Sequence, residues 1–423
     1  MDTSALAASD IGRVKPSNED SYLVDPALQL YIVADGMGGH AAGEVASETA
    51  VSEIRRVVKE HERLLVDYAE TGKGRGEILQ LLEDAVRTAG RTIYEMAQAD
   101  AARRGMGTTV SLLLVTPTRG FIAHVGDSRV YLARSGGVFQ LTEDHSLINE
   151  LIRRGRLRPQ DARRAPYKNA VTRAVGVYAD VQVDTLDFEI ANGDAFLICS
   201  DGLTEHVDPI EELQALLEEE ALDAVPRILV GRANERGGKD NITALMVRIE
   251  EGGQDAAALS GEEISLKLNV LRHMPVFQHL TYVELVEVLN VSDVQRYEAD
   301  ELVFDEGQIG EEVYVVLEGM VSIRKGNMEL ARLGPGGHFG EMAIMDKGPR
   351  SARVIAEQPT RLITVGRRPL FALMRRDKEI AVKLLWCFVQ VLNQRLRATN
   401  ADLLRARLDQ NELQNLLVLD EFD

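Results

Sequence analysis

Apolar residues in the first half of the chain follow two rhythms. Tyr31 to Ala34 is a short apolar run that stops at Asp35-Gly36, and from Gly43 onward Ala46, Ala50, Ile54 and Val57 recur at helical spacing. Side chains alternate across a strand but return to one face of a helix about every 3.6 residues, so this stretch predicts strand, glycine-rich turn and helix. A second helical stretch runs from about Glu77 to Ala99, after a Gly-Lys-Gly-Arg-Gly loop. Strand-like runs then dominate: Thr109 to Val115, Phe121 to Val125, Val130 to Ala133, the alternating segment Val181 to Ile190, Ala195 to Cys199, and Ile242 to Ile249. Helices inserted among many short strands predict stacked sheets flanked by helices.

Glu250 to Glu263 (EEGGQDAAALSGEE) breaks both rhythms and reads as a linker. Beyond it, short helical segments lead to strands at Glu301 to Phe304, Val313 to Leu317 and Val321 to Arg324. Glycine-rich turns follow, and then a final helix from about Pro369. Short strands punctuated by Gly and closed by a helix predict a small β-barrel or jelly roll. The expected division is residues 1–250, a linker 251–264, a second domain 265–395 and a helical acidic tail 396–423. A chain of 423 residues suits two cores better than one.

Charge narrows the function. The formal net charge of -19 repels nucleic acid and anionic membrane over most of the surface, so any phosphate group must be met by a local basic site. Cys199 and Cys387 lie far apart in apolar runs, which excludes a disulfide framework or a cysteine zinc site and predicts two core thiols in a reducing cytosol. The N-terminus has no signal-peptide pattern, and Leu384 to Leu392 is too short to span a membrane, so the expected location is cytoplasmic.

The candidate chemistry is dispersed: Arg13 with Asn18-Glu19-Asp20, Asp35-Gly36-Met37-Gly38-Gly39, Gly107-Thr108-Thr109, Gly126-Asp127-Ser128-Arg129, Ser200-Asp201-Gly202 and Asp240-Asn241. Most of the acids sit where an apolar run ends, held by rigid backbone yet facing a cleft. Such acids can assemble an all-oxygen site for magnesium or manganese. Taken alone, Gly36-x-Gly38-x-x-Ala41 after a strand also looks like a dinucleotide fingerprint, but no parallel βαβ repeat or later ribose-binding acid accompanies it.

Six such motifs in one order resemble the protein phosphatase 2C family of metal-dependent serine/threonine phosphatases, over residues 5 to 250. The resemblance implies an α+β fold, an α-β-β-α sandwich of two antiparallel sheets flanked by helices. It implies that Asp35 bridges two Mn2+ or Mg2+ ions, that Gly36 offers its carbonyl, and that Asp201 and Asp240 complete one shell. Glu19 and Asp20 would hold metal-bound waters, Asp127 would serve a third, weaker metal site, and Arg13 would grip substrate phosphate. Two adjacent dications make hydroxide available near neutral pH and screen the phosphate during in-line attack. A guanidinium binds two phosphate oxygens at once. Eukaryotic members carry His two residues after the bridging Asp as a candidate acid for the leaving group. Here that position is Met37, and protonation by metal-bound water is the expectation. Arg153 to Arg173 holds eight basic residues against the single acid Asp161. This segment matches the family's variable flap and is either an attractor of phosphoprotein substrates or a solvated face.

In the second domain, Leu302 to Gly307, Val313 to Val321, Gly337-His-Phe-Gly-Glu-Met-Ala-Ile and Pro349-Arg-Ser-Ala resemble the cyclic-nucleotide-binding domain of bacterial catabolite regulators and cyclic-nucleotide-dependent kinases. The resemblance spans about residues 268 to 395. It implies a β-jelly roll with flanking helices and a phosphate-binding cassette of Gly340, Glu341, Met342, Arg350, Ser351 and Ala352. Glu341 would take the ribose 2'-hydroxyl and Arg350 the cyclic phosphate of cyclic AMP or cyclic GMP, with cyclic AMP weakly preferred. Arg397 to Asp423 shows no DNA-reading pattern, so DNA binding is not expected of this segment. Leu385, Phe388, Leu392, Leu396 and Leu403 recur at helical spacing, which more often means packing on the domain than a dimer seam, so a homodimer stays open. The expected function is a protein phosphatase regulated by cyclic nucleotide. The alternatives are a sensing scaffold without turnover, or an active phosphatase whose second domain only docks partners.

Overall fold

The computed structural model describes residues 2–38, 42–165, 170–218, 224–250, 261–341 and 348–419. The chain divides into two compact units, Met1–Ser265 and Leu266–Asp423.

Among the described residues the first unit has eleven strands: β1 (Thr3–Asp10), β2 (Asp20–Asp25), β3 (Leu30–Met37), β4 (Gly107–Thr108), β5 (Val110–Val115), β6 (Arg119–Val125), β7 (Arg129–Arg134), β8 (Gly137–Gln140), β9 (Asp184–Glu189), β10 (Ala195–Cys199) and β11 (Ile242–Ile249). Its helices are α1 (Ala42–Glu60), α2 (Glu62–Thr71), α3 (Arg75–Ala99), α4 (Leu147–Arg153), α5 (Asp201–Thr204), α6 (Pro209–Glu218) and α7 (Val225–Glu235). One sheet runs β1-β11-β10-β7-β8 and the other β2-β3-β5-β6-β9, with β4 pairing β3. The strand ladders are antiparallel, which removes the dinucleotide reading of the Gly36 turn.

Strand alternation builds the layers. Leu30, Ile32 and Ala34 of β3 face α1 and α3 in one core, while Leu197 and Cys199 of β10 face α5 to α7 in another. The intervening residues Tyr31, Val33, Phe196, Ile198, Leu245 and Val247 are also fully buried. They lie on the opposite strand faces, between the sheets, where Phe188 and Phe196 meet with ring centroids 5.6 Å apart. Helix, sheet, sheet, helix is therefore the layer order. Asp35 continues the inner-face series of Tyr31 and Val33, which carries its carboxylate to the end of the sandwich.

The predicted core strands are present with small shifts. The alternating segment Val181 to Ile190 contains only β9, and β1 and β2, which have few apolar residues, carry no strong sequence signal. Residues 251–260 of the expected linker lie outside the described residues. Gly261–Ile264, read as its end, instead opens helix α8 (Gly261–Arg272).

The second unit contains α9 (Tyr282–Leu289), β12 (Ser292–Tyr297), β13 (Leu302–Phe304), β14 (Glu312–Glu318), β15 (Val321–Lys325), β16 (Met328–Leu333), β17 (His338–Phe339), β18 (Arg353–Ala356) and β19 (Thr360–Gly366). These form two four-stranded antiparallel sheets, β12-β19-β14-β17 and β13-β18-β15-β16. Phe304, Tyr314, Val316, Val321, Phe339, Val354 and Leu362 fill the space between them, as a jelly roll requires. The single helix expected from Pro369 is two helices, α10 (Arg367–Arg376) and α11 (Lys378–Leu419). Asp377 separates them, its carboxylate accepting the Glu379 and Ile380 N–H groups at the start of α11. The expected packing of the stripe holds at Phe388, which is buried, and fails at Leu385, Leu392 and Leu396, which are exposed, because Leu384 and Cys387 complete the buried face with Phe388. The Leu403 side chain lies outside the described residues.

Candidate active site

The acids of four separate motifs meet at one end of the sandwich. Asp20 of β2 stands directly opposite Asp35 of β3 in the ladder. Across the gap between sheets, Asp20 Oδ2 accepts from Ser200 Oγ at 2.8 Å and Thr243 Oγ1 at 2.7 Å, so the end of β10 and the start of β11 are tied to β2. Asp201 follows Ser200 as the first residue of α5, and Asp240-Asn241 immediately precede β11. Asn241 holds the loop before β2 in place, accepting from Glu19 N–H and donating to Ile11 O and Ser17 O.

The Gly and Thr motifs serve this arrangement. The Asp35 carbonyl accepts from Thr108 Oγ1 and Thr109 N–H, and Asp35 N–H donates to Thr109 Oγ1. Thr109 Oγ1 in turn bonds Ser128 Oγ at 2.7 Å, which links β3 to the Asp127 loop. A Cβ on Gly36 would lie 2.2 Å from Gly43 O, and one on Gly202 would lie 2.0 Å from Asn241 O. Both glycines are needed for close approach of backbone at the site.

Electrostatically the site is a pool of negative charge. Burial, with Asp20, Asp201, Asp127 and Asp240 around it, holds the Asp35 carboxyl well above the usual carboxylate range. Burial also lifts Asp20 to about 7 and, with the Asp201 and Asp144 charges, Asp127 to about 8. Asp201 is raised by burial and by Asp240, although it shares a hydrogen bond with Asp35. Asp20 Oδ1 is buried and has no partner. Among the described residues no three His, Cys, Asp or Glu side chains already stand in coordinating positions, so the convergence is one of charge and cleft rather than a finished shell. Concentrated carboxylates with an orphaned oxygen and no soft donors fit a hard dication such as Mg2+ or Mn2+.

In the second unit, Arg350 is buried and its guanidinium lies 4.2 Å over the Phe304 ring and 5.5 Å from the Tyr314 ring. Its Nη1 donates to Glu312 O at 2.9 Å and to Gly340 O at 3.3 Å, whereas its Nε is buried with no partner. Gly340 has φ +78°, and a Cβ there would lie 2.7 Å from Arg350 Nη1. Ala352 is buried, Glu341 half-buried and Ser351 exposed. Met342 lies outside the described residues.

The sequence model described as Protein phosphatase 2C matches residues 13–244, more than half of the chain. The chain belongs to that family. A second model, Cyclic nucleotide-binding domain, matches residues 294–377. The phosphatase is similar to the serine/threonine phosphatase stp of Listeria innocua, with 39% identity over 254 residues, covering 59% of this chain and 98% of that one. It is similar in structure to the Mycobacterium tuberculosis serine/threonine phosphatase PstP/Ppp, with 33% identity, a TM-score of 0.51, and coverage of 59% of this chain and 100% of that one. A structure of the PstP catalytic domain in complex with two manganese ions also matches, at 31% identity and a TM-score of 0.51, covering 59% and 99% of the two chains. The protein is thus a metal-dependent phosphoprotein phosphatase that carries a cyclic-nucleotide-binding domain.

Two basic residues stand near the phosphatase site. Arg13 is exposed, its backbone N–H bonds Gly238 O, and its stem lies against Gly238. Its charge also reaches Asp10, whose carboxyl is held low by Asn234, by the Gly12 N–H and by Arg13. Lys15, which sequence reasoning missed, takes the inner place. Its Nζ lies 2.5 Å from Asp240 Oδ1, and burial, which alone would lower its pKa, is outweighed by Asp240, Asp35 and Glu19. The signal available was its position between Asp10 and the Glu19-Asp20 pair, a lone lysine among acids.

The flap is less free than its composition suggested. Arg154 pairs with Glu150 at 3.0 Å, Arg158 with Asp161 at 2.8 Å and Arg173 with Asp184 at 2.7 Å. Lys168 and the side chains of Arg163 and Arg164 lie outside the described residues. A cavity of about 710 Å3 borders α4 of the flap and opens on Asp127, Asp144, Asp201 and Glu205. Among the described residues no helix is long and apolar enough to cross a membrane.

Proposed function

We propose that this phosphatase hydrolyses phosphoserine and phosphothreonine at the Asp35 cluster and that cyclic nucleotide, cyclic AMP before cyclic GMP, regulates it through the second unit. The observation that carries the reading is the meeting of Asp20, Asp35, Asp201 and Asp240 across two sheets. Asp35, the Gly36 carbonyl, Asp201 and Asp240 would hold the central pair of Mn2+ or Mg2+ ions, with Glu19 and Asp20 behind them and Asp127 at a third position. Bound there, the ions supply an activated water and screen the phosphate.

The remaining steps fall to the chain itself. Lys15, rather than Arg13, is suited to grip a phosphate oxygen, because its ammonium already points into the acid pool as a mobile point charge. Asp20 is locked by Ser200 and Thr243, so the cleft wall opposite Asp35 keeps its shape as substrate enters. Met37 has no proton to give, so the leaving alkoxide takes its proton from water in the cleft. In the second unit, Arg350 on its aromatic seat and Glu341 would receive the cyclic phosphate and the ribose hydroxyl, as the resemblance implies.

The test is phosphopeptide hydrolysis with Mn2+ or Mg2+, with and without cyclic AMP or cyclic GMP, by the full chain and by Asp35→Asn. Metal-dependent turnover abolished in Asp35→Asn and altered by one nucleotide supports the reading. Full Mn2+-dependent turnover by Asp35→Asn would sink the assignment of the site. Turnover with no nucleotide binding would reduce the second unit to a docking module.

A further inference from the structure

The loop carrying Asp127 is held by one residue, His145, that precedes α4 and the flap. Gly126 N–H donates to His145 Nδ1 at 3.1 Å, and His145 N–H donates to Gly126 O at 2.7 Å. Both backbone groups of the residue before Asp127 are therefore satisfied by His145. Gly126 adopts φ +114°, and a Cβ there would lie 2.6 Å from Thr109 Cβ, so the loop has little room to take another path.

The imidazole is buried, and its two nitrogens have different duties. Because Nδ1 accepts from Gly126, the proton of the neutral ring is on Nε2, which lies 2.9 Å from Asp184 Oδ2 and donates to it. Arg173 Nη1 stands 3.1 Å from the same Nε2 and donates to Asp184 Oδ1 at 2.7 Å. The His124 ring lies 4.8 Å away, fixed by Ser111 Oγ and Glu143 O. His145 also starts a pairing with the C-terminal end of the flap: its carbonyl accepts from Thr172 N–H, and the next residues continue it, Ser146 with Val171 and Leu147 N–H with Ala170 O.

We propose that His145 is a positioning residue that sets the Asp127 loop and joins it to the C-terminal end of the flap, so that the hold of Asp127 on a divalent cation depends on the His145–Gly126 bond. The proposal rests on the reading of Asp127 as a metal ligand given above. Groups that orient a ligand from behind affect metal affinity nearly as strongly as the ligand itself.

Two substitutions separate the two ring nitrogens. In His145→Asn the side-chain oxygen replaces Nδ1 and can still accept from Gly126, but nothing reaches Asp184. In His145→Gln the terminal amide replaces Nε2 and reaches Asp184, but the Gly126 acceptor is gone. Mn2+ is titrated calorimetrically into the metal-stripped full chain of each variant, and hydrogen exchange is followed at the Gly126 amide. The expected result is weakest-site Mn2+ affinity within about threefold of the parent for Asn and about 10- to 100-fold weaker for Gln, with Gly126 protection lost only in Gln. Equal weakening in both variants, or parental affinity in Gln while Asp127→Asn is weakened, overturns the proposal. Asp127→Asn binding Mn2+ like the parent removes the underlying reading and the proposal with it. If Gln does not fold, the Asn variant decides: parental affinity with Gly126 protected supports the proposal, and a tenfold loss overturns it.

Discussion

Replacing Lys15 by Met tests which basic side chain meets the substrate. The Lys15 ammonium lies 2.5 Å from Asp240 Oδ1, with side-chain exposures of 37% and 30% for the two partners. A pair this open to solvent contributes less than about 1 kcal/mol to folding, so the melting midpoint of Lys15→Met should stay close to the parent's. A charge-assisted hydrogen bond to phosphate contributes about 1.5 to 3 kcal/mol, so kcat/KM on a phosphopeptide at saturating Mn2+ should fall roughly 10- to 150-fold. Lys15→Arg keeps the charge and adds a planar fork, and should retain activity within about fivefold. Arg13→Ala, at an exposed residue whose charge also acts on Asp10, should change kcat/KM less than about threefold. The measurement is steady-state hydrolysis by the four proteins with melting curves alongside. Tenfold loss in Arg13→Ala together with near-parental Lys15→Met would refute the reasoning.

Three further outcomes follow from particular contacts. His124 is pushed down to about 3 by burial and by neighbouring His145, whereas an unfolded histidine titrates near 6.5. Above pH 6.5 it has no effect on stability, and as pH falls from there toward 3 the unfolded state gains a proton that the folded state refuses. Stability should drop by about 2 kcal/mol between pH 6.5 and 5 from this group, read by urea unfolding, and His124→Gln should flatten that slope. Arg350→Ala removes a guanidinium with an unpartnered buried Nε and should weaken cyclic nucleotide binding by about one to two powers of ten in calorimetry, with Mn2+-dependent basal turnover retained. Arg134 and Asp194 form a buried pair with side chains 2% and 1% exposed. Arg134→Met strands the carboxylate and should cost about 3 to 5 kcal/mol of stability by chemical denaturation.

How much could be read without coordinates depends on whether a contact is local in sequence. Nearly continuous apolar runs were enough to find Ala195–Cys199 and Ile242–Ile249 as strands, since burial on both faces needs apolar residues at most positions. Alternation also determined that Asp35 shares a face with Tyr31 and Val33, and the position of acids at strand ends pointed to an oxygen-ligand cleft. The same rule failed for β1 and β2, which are partly exposed and carry their polar residues in pairs or singly at the strand ends rather than in alternation. It failed again for the Leu stripe of α11, because helical spacing defines a face but does not say whether another element covers it.

Only the tertiary structure decided which residues face each other across elements. Register placed Asp20 opposite Asp35, and stacking of the sheets brought Ser200 and Thr243 to Asp20 from more than 170 positions away in the chain. The pairing of Lys15 with Asp240 depends on how the turn at Gly12, with φ +83°, packs against Asp240. The bond between His145 and Gly126 depends on where the flap returns to β6. The sequence by itself determined the periodicity, the stock of carboxylates and the family. The partners of Asp20, Lys15, His145 and Arg350 are set by non-local packing, and no short-range pattern encodes it.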